Sequence, residues 1–109
     1  MSETTDAIVV LVTAPPDRAP ELARGIVEAR LAACVALSGP IRSIYRWKGE
    51  IQDDAETQLV IKTTRAHFTA LEAHIRAHHP YEVPEILALP VVAGSAPYLA
   101  WLRTETRVD

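Results

Sequence analysis

The chain has 109 residues, of which 49% are hydrophobic and 23% are charged, and its formal net charge is −3 at neutral pH. This length and composition fit one globular domain over residues 1–109, with enough apolar side chains for a core. Nothing in the acidic balance indicates the clustered basic face that nucleic-acid binding favours. The single cysteine excludes an internal disulfide framework and suits a reducing compartment.

The N-terminal segment MSETTD is polar and acidic and lacks the cationic start of a signal peptide. We therefore expect residues 1–6 to form a flexible tail. No apolar run reaches the roughly 18 residues that a membrane helix needs. These features together predict a cytoplasmic protein that is not inserted in a membrane.

The first predicted element is a buried central strand from Ala7 to Thr13, because this run is apolar and rich in β-branched residues. A helix follows to about Ala32, with Asp17 placed to cap it and Pro20 tolerable in its first turn. Its inner stripe consists of Leu22, Ala23, Ile26, Ala29 and Ala33. The apolar run AACVAL then leads into a second strand, which Ser38-Gly39-Pro40 breaks or bends.

The stretch from Ile41 to Thr64 predicts a long β-hairpin, with Lys48-Gly49-Glu50 as its turn signal. Each arm of about ten residues spans roughly 33 Å, whereas a domain of this size has a radius of gyration of about 13 Å. A two-stranded ribbon alone is marginal in water. We therefore expect the far part of the hairpin to lie on another copy of the chain, with Tyr45, Trp47 and Ile51 as the subunit contacts. The alternative is a bent hairpin that folds back on its own sheet.

The second half of the chain predicts a helix, a strand and a terminal helix. Residues 65–78 have helical spacing, and Pro80 stops this helix. The run from Glu85 to Val92 predicts another buried strand, in which Pro90 indicates an edge or an end. Ser95 is placed to cap a last helix from Pro97 to about Arg103.

The predicted order, β-α-β-β-α-β plus a terminal helix, is the ferredoxin-like arrangement of the α+β class. It places an antiparallel sheet behind two long helices that share one face. The other face of the sheet then needs a cover, which contact between subunits would provide.

Several short stretches, taken together and in this order, resemble the family of the divalent-cation tolerance protein CutA. They are Thr13-Ala14-Pro15, Leu31-Ala32-Ala33-Cys34, Tyr45-Arg46-Trp47-Lys48-Gly49, Ile61-Lys62-Thr63-Thr64, His78-His79-Pro80-Tyr81-Glu82-Val83-Pro84-Glu85 and Tyr98-Leu99-Ala100-Trp101-Leu102. The resemblance covers nearly the whole chain and implies a ferredoxin-like fold in a tightly packed homotrimer, with an architecture similar to the PII signalling proteins. It also implies an association with copper and other divalent metals.

Histidines at the end of the second helix are the candidate metal ligands. His74 and His78 lie four residues apart, so both imidazoles can meet on one helical face, and imidazole suits copper, zinc and nickel. Spacing alone favours a structural role, in which His78 packs with apolar neighbours and His79 caps the helix C-terminus. The resemblance implies that His78 and His79 match the family's copper-ligand pair. We therefore expect copper or another divalent cation at His78 and His79, with His74 as a further ligand.

Two other positions bear on this metal site. Val12 stands where the family pattern carries a cysteine ligand, so nitrogen and oxygen ligands would have to suffice. Cys34 lies among apolar residues and is expected to be a small buried hydrophobe, because no cationic neighbour in the sequence would activate it. The acidic residues Asp53, Asp54 and Glu56 could attract cations, but a solvated edge that blocks unwanted strand pairing is the simpler interpretation.

A second candidate site is a small polar pocket between subunits. Lys62 interrupts an apolar strand, so its charge should be paired or should face a cleft. Its expected partner is Glu82 or Glu85. A structural ion pair is the preferred interpretation of Lys62. The alternative is a pocket between subunits that is lined by Lys62, Tyr81, Glu82, Glu85 and Trp101.

Three functions are therefore under comparison. The expected one is a homotrimeric metal-binding protein with a role in metal-ion tolerance or homeostasis. The alternative is a PII-like signalling or assembly module that binds a small anion or metabolite between subunits, with metal binding incidental. An enzyme is disfavoured, because the sequence shows no Gly-x-Ser-x-Gly elbow, phosphate loop or catalytic Cys–His motif.

Overall fold

The computed structural model describes residues 5–106, and residues 1–4 and 107–109 lie outside this range. The predicted flexible tail therefore falls mostly outside the described residues. Its last two residues are held in place, because the Thr5 amide donates to Val91 O at 3.0 Å and the Arg65 amide donates to Asp6 O at 2.9 Å. For residues 1–4 the flexible tail stays a prediction.

Within the described range, four strands and three α-helices follow the predicted order. They are β1 (Ala7–Ala14), α1 (Ala19–Glu28), β2 (Cys34–Trp47), β3 (Glu50–Thr64), a 3-10 turn (Arg65–His67), α2 (Phe68–His78), β4 (Leu87–Pro90) and α3 (Ala96–Glu105). The strands form one antiparallel sheet in the order β2-β3-β1-β4. This confirms the ferredoxin-like α+β fold, with one helix added at the C-terminus.

The core lies between the sheet and the pair α1 and α2, which pack on the same side of it. The largest apolar residues with no exposed surface are Val10, Val12, Ile26, Leu59, Ile61, Leu71 and Ile75. Each full burial of such a side chain contributes roughly 1.5–3 kcal/mol. The two central strands and two helices thus form the rigid body that carries the hairpin and the loops.

Helix α1 differs from its prediction at both ends. Its N-cap is Arg18, without a side-chain hydrogen bond, so Asp17 does not cap it. At its C-terminus, Arg30 adopts a φ of 60° and the Leu31 amide donates to Ile26 O at 3.1 Å. This is a Schellman ending. Glycine usually marks such a turn, so the sequence lacked the signal that would have placed the end of the helix correctly.

The β2–β3 hairpin is the longest feature of the fold. Its strands contain 14 and 15 residues, and a register irregularity between Ser38 and Ile41 bends β2 without ending it. Lys48 and Gly49 have φ values of 51° and 82°, as a two-residue type I′ turn requires. The hairpin raises the radius of gyration to 14.7 Å, above the roughly 13 Å of a compact chain of this length.

Strand β4 is shorter and more exposed than predicted. It covers only Leu87–Pro90, and all four of its residues are exposed. The prediction of a buried strand over Glu85 to Val92 is therefore wrong, because β4 pairs only with β1 and forms an edge of the sheet. The position of Pro90 at its end is confirmed.

Helix α3 begins as the sequence predicts, with Ser95 at its N-cap accepting a hydrogen bond from the Tyr98 amide. It packs Leu102 into the protein and leaves Trp101 partly exposed. Among the described residues, no helix is both long enough and apolar enough to cross a membrane.

Candidate functional site

Two histidines stand side by side on the last turns of α2. The rings of His74 and His78 stack with a centroid distance of 4.2 Å and an interplanar angle of 25°. His78 Nδ1 donates to the backbone oxygen of His74 at 2.8 Å. A carbonyl oxygen can only accept, so Nδ1 carries the proton and Nε2 of the neutral ring keeps its lone pair. Metal-binding imidazoles have this arrangement, with the second ring nitrogen bonded to a carbonyl.

The surroundings of His74 favour its uncharged form. Partial burial, and then the neighbouring His78, lower the pKa of His74. The ring borders a groove between α1 and α2 that also contains Glu21 and Glu28. A neutral imidazole is the form that coordinates a metal, so His74 can act as a ligand at neutral pH.

The stacked arrangement is not a ready-made chelate. A metal lies in the plane of the imidazole that binds it, at about 2.0–2.1 Å for zinc, and two nearly parallel rings do not share such a point. One ring would have to rotate before both could hold the same ion. His78 is the exposed member of the pair and would lose only its hydrogen bond to the His74 carbonyl.

His79 is oriented away from this pair. It is 8% exposed, its Nε2 donates to Thr13 O at 2.7 Å, and its Nδ1 accepts from the Tyr81 amide at 3.1 Å. Both ring nitrogens are occupied, so a metal at His79 would have to displace one of these bonds. Across residues 5–106, no three His, Cys, Asp or Glu side chains are grouped so that they could hold a metal ion. The predicted ligands His74, His78 and His79 therefore do not form a preformed three-ligand site within one protomer.

A groove of about 710 Å³ runs between the hairpin and the loop of residues 80–85. We call it the hairpin groove. Its aromatic and acidic lining residues are Tyr45, Trp47, Glu56, Tyr81, Glu82 and Glu85. The groove thus brings together Tyr81, Glu82 and Glu85 of the predicted polar pocket. It also includes Tyr45 and Trp47, which we predicted only as subunit contacts.

The sequence analysis did not predict that Glu56 lines this groove. Glu56 is 3% exposed, and its Oε2 accepts a hydrogen bond from the Tyr81 hydroxyl at 2.7 Å. Burial, and then this bond to Glu56, raise the pKa of Tyr81. The prediction that Glu56 belongs to a solvated edge is therefore wrong, because the loop after α2 covers it. No local sequence signal reports that contact, which joins residues 25 positions apart.

Two further acids of the hairpin, Asp53 and Asp54, have hydrogen-bond partners on its two faces. Arg42 donates to both carboxylate oxygens of Asp53, at 3.0 and 2.7 Å, and this bond lowers the pKa of Asp53. The Tyr45 hydroxyl donates to Asp54 at 2.5 Å, and this bond raises the pKa of Tyr45. These contacts fix the orientation of Tyr45 and leave its ring toward the hairpin groove.

Lys62 and Trp101 do not line the hairpin groove of their own protomer. Lys62 Nζ lies 3.8 Å from Cys34 Sγ, because the two residues pair across β2 and β3. Among the ion pairs of the described residues, none joins Lys62 to Glu82 or Glu85, so that predicted pair is absent from the protomer. Cys34 is partly exposed and not buried as predicted. Trp101 contacts Tyr98 on α3, with ring centroids 5.5 Å apart.

Comparisons with known proteins agree with the fold and with the sequence motifs. Residues 8–105 match the family model described as CutA1 divalent ion tolerance protein. The chain is 46% identical over 103 residues to the divalent-cation tolerance protein CutA of Pectobacterium atrosepticum, a match that covers 94% of each chain. It is also 46% identical over 107 residues to the chloroplastic protein CutA of Arabidopsis thaliana, but it spans only 59% of that relative.

Solved structures place the chain in the same group. The divalent cation tolerance protein of Thermus thermophilus superimposes with a TM-score of 0.89 at 47% identity, over 93% of this chain and 99% of that one. The PII-like protein CutA from Nostoc sp. PCC 7120 in apo form gives a TM-score of 0.88 at 35% identity, over 94% and 99% of the two chains. The fold is therefore that of a PII-like α+β protein. The chain belongs to the CutA family of divalent-cation tolerance proteins.

Proposed function

We propose that this chain forms a homotrimer that binds a divalent transition metal, copper in particular, and acts in metal-ion tolerance. The observation that carries the metal proposal is the geometry of His78. Its Nδ1 is fixed by the His74 carbonyl, and its Nε2 is left to bind an ion beside a second, neutral imidazole. Copper suits such nitrogen ligands, and the family is named for tolerance of divalent cations.

In this proposal the three histidines have different roles. His78 is the first ligand and binds through Nε2 while its Nδ1 keeps the bond to the His74 carbonyl. His74 joins as a second ligand only after the exposed ring of His78 rotates and gives up that bond. His79 remains the least accessible ligand, because its two hydrogen bonds fix the loop that follows α2 to strand β1. The site uses imidazole without thiolate, since Val12 is fully buried and carries no ligand atom.

The homotrimer is supported by apolar side chains that the protomer leaves in water. Ile44 and Ile51 on the hairpin are 66% and 62% exposed, and Trp47 is 38% exposed. Leu87 and Leu89 on the edge strand β4 are also exposed. These large apolar side chains lie on the hairpin and on the opposite edge of the sheet, where a neighbouring subunit could cover them. A neighbouring subunit could also bring its Lys62 and Trp101 to the hairpin groove, as the predicted pocket between subunits requires.

Copper titration of matched histidine variants tests the metal proposal. We expect the double variant His74→Ala/His78→Ala to lower Cu(II) affinity by at least about tenfold, because it removes both proposed ligands. His67→Ala is the control, since His67 bonds Thr64 at the start of α2, away from the pair. Isothermal titration calorimetry gives the affinity and the stoichiometry.

The His79→Gln variant discriminates between the proposed site and the pair implied by the family resemblance. If His79→Gln lowers copper affinity as strongly as the double variant does, then His78 and His79 are the ligand pair and the loop after α2 opens to bind. If His79→Gln leaves the affinity unchanged and the double variant lowers it, then His74 and His78 are the ligands. Unchanged uptake in every variant would contradict the metal proposal altogether.

A second function is favoured by the hairpin groove. The chain would be a PII-like signalling or assembly module that holds a small ligand between subunits, with metal binding incidental. The observation behind it is the partly buried set of aromatic and acidic side chains around Tyr81 and Glu56, which metal binding at α2 does not use. A rise in melting temperature with a small molecule, and none with copper, would favour this function.

We further propose that the chain is not an enzyme and that it works in the cytoplasm. Among the described residues, neither proposed site contains a Ser, Thr or Cys side chain hydrogen-bonded to a general base, the arrangement that commonly activates a nucleophile. The compartment can be determined by fractionation of cells that express the full-length protein, which matters because one relative is named as chloroplastic.

A further inference from the structure

We propose that Glu21 of helix α1 is a ligand of the metal ion that His78 binds, so that the ion is held between two helices. This inference rests on the proposed metal function and deepens it, because it adds a carboxylate to the imidazole ligands. It also answers the difficulty of the stacked rings. A carboxylate from α1 can join His78 Nε2 while His74 and His78 stay stacked.

The groove between α1 and α2 contains all the residues of this site. Glu21, His74 and His78 are among its lining residues, and its volume is about 480 Å³. The groove lies on the helical side of the sheet, where α1 and α2 pack together. Within residues 5–106, its lining includes none of the subunit contacts proposed above. Those contacts therefore leave the groove accessible in the proposed trimer.

The direction of the two helices determines which residues face each other across the groove. Strands β1 and β3 are antiparallel, and each is followed by a helix that runs back along the sheet, so α1 and α2 are antiparallel as well. Gly25 meets His74, because a Cβ atom on Gly25 would lie 3.6 Å from His74 Nε2. Four residues back on α1 and four residues forward on α2, one turn along each helix, Glu21 faces His78.

The carboxylate of Glu21 is available to bind an ion. Glu21 is exposed, and within the described residues its side chain makes no ion pair and no hydrogen bond. Glu28, the other acid of the groove, lies on the far side of Gly25 and is 3.9 Å from Arg24. Of the two acids, Glu21 is therefore the one that is both opposite His78 and without a partner.

Arginines in the same groove exclude a purely electrostatic attraction for the ion. Arg18 and Arg24 line the groove together with the two acids, so the formal charges of these four side chains cancel. A cation is then held only by atoms that coordinate it directly. This makes the ligand role of Glu21 separable by experiment from its charge.

Two imidazoles and one carboxylate are a suitable ligand set for a divalent transition metal. Catalytic zinc sites use two histidines and one glutamate and leave a position for water, and imidazole also suits copper. Within residues 5–106, no three such side chains already lie close enough to hold an ion. Binding therefore requires Glu21 to turn toward His78, which its exposed side chain is free to do.

Gly25 supports the same site, because it keeps space open beside His74. Outside its own helix and its chain neighbours, a Cβ atom on Gly25 would meet only His74 Nε2 within 4 Å among the described residues. A zinc ion lies about 2.0–2.1 Å from the imidazole nitrogen that binds it, so a methyl group here would occupy space that an ion at Nε2 needs. Glycine inside a helix lowers its stability, and at this position it leaves Nε2 accessible.

Calorimetric titration of Cu(II) into the assembled protein compares the two acids of the groove. We expect Glu21→Gln to lower the Cu(II) affinity at least about tenfold, because it removes a ligand and keeps the size of the side chain. Glu28→Gln is the matched control, because it removes the same charge from the same helix on the other side of Gly25. It should leave the affinity within about twofold at about 0.15 M salt, where exposed charges are screened.

Gly25→Ala gives a second measurement, with opposite effects on stability and on binding. It should raise the melting temperature of the metal-free protein, because alanine is the better helix former, and a Cβ atom 3.6 Å from His74 Nε2 makes an ordinary contact. In the same titration it should lower the Cu(II) affinity. A variant that is merely misfolded would lose stability and binding together.

The outcomes separate this inference from the function on which it rests. Equal losses in Glu21→Gln and Glu28→Gln overturn the inference, because the effect then comes from charge and not from a ligand. Full affinity in Glu21→Gln, with a loss in the double histidine variant, also overturns it and leaves the proposed metal function intact. Glu21 then only stabilises the first turn of α1. No Cu(II) binding by the wild-type protein contradicts both.

Discussion

At the scale of single residues, Glu85 reports on the electrostatics of the hairpin groove. Partial burial, and then the charge of Glu56, raise the pKa of Glu85. A carboxyl whose pKa is higher in the folded state than in the unfolded state stabilises the fold below its unfolded pKa. That stability is lost as the pH rises through the folded pKa. The charged form of Glu85 is therefore a cost at neutral pH.

Replacing this acid should change stability in a pH-dependent way. We expect Glu85→Gln to raise the melting temperature at pH 7 and to leave it nearly unchanged at pH 4, where the wild-type carboxyl is already protonated. The gain should correspond to less than about 1 kcal/mol, because water screens a partly exposed side chain. Thermal unfolding at both pH values measures it. A difference of the same size at pH 4 and pH 7 would contradict this account of Glu85.

The neighbouring histidines His78 and His79 should differ in their effect on stability. His79 is buried and makes two hydrogen bonds, so His79→Ala leaves the Thr13 carbonyl and the Tyr81 amide without partners. We expect a loss of about 1–3 kcal/mol in the free energy of unfolding. His78→Ala is the matched control, because His78 is exposed and should cost much less. Urea unfolding gives both values, and equal losses would show that the loop is not held through His79.

The sequence allowed part of this residue-scale chemistry to be predicted. The spacing of His74 and His78 placed them on one helical face, and the structure confirms that they are adjacent. The partners of His79 and Glu56 were beyond prediction, because each contact joins residues that are far apart in the chain, 66 positions for His79 and Thr13. Local periodicity carries no information on such contacts.

At the scale of elements, the hairpin borders the hairpin groove and carries the proposed subunit contacts. Tyr45 and Trp47 lie on one face of β2 and Ile44 lies on the other, and all three border the groove. In the proposed assembly a neighbouring subunit covers the apolar side chains of this ribbon. Its exposed apolar groups would otherwise stay in contact with water.

Shortening the aromatic side chain at Trp47 should weaken the assembly. We expect Trp47→Ala to lower the concentration-dependent stability of the trimer, because an oligomer loses stability when its interface loses buried apolar area. Val27→Ala is the control, since Val27 is similarly exposed but lies on α1. Sedimentation over a dilution series measures the effect. An unchanged mass and melting temperature would contradict the role of the hairpin.

Strands and turns could be predicted where the sequence carried a run of buried apolar residues or a turn signal. The apolar run of β1 and the Lys48-Gly49 turn were both placed correctly. The length and the burial of β4 were overestimated, because a run of apolar residues cannot distinguish a core strand from an exposed edge strand. The end of α1 was missed, because Arg30 occupies the left-handed position that glycine usually marks.

At the scale of the whole molecule, three features of the single chain fit the proposed assembly. The hairpin extends the long dimension of the chain to 44 Å, and the edge strand β4 exposes its leucines. Of the residues predicted to line one pocket, Tyr81, Glu82 and Glu85 line the hairpin groove, whereas Lys62 and Trp101 do not. A homotrimer would account for all three features. It would cover the apolar side chains and could bring Lys62 and Trp101 of one subunit near the groove of another.

Native mass spectrometry with and without copper tests this account most directly. The account predicts a particle of three 12.0 kDa chains, or about 36 kDa, that persists on dilution and gains mass when Cu(II) is added. A stable particle of the single-chain mass, with the hairpin tip open to solvent, would contradict it.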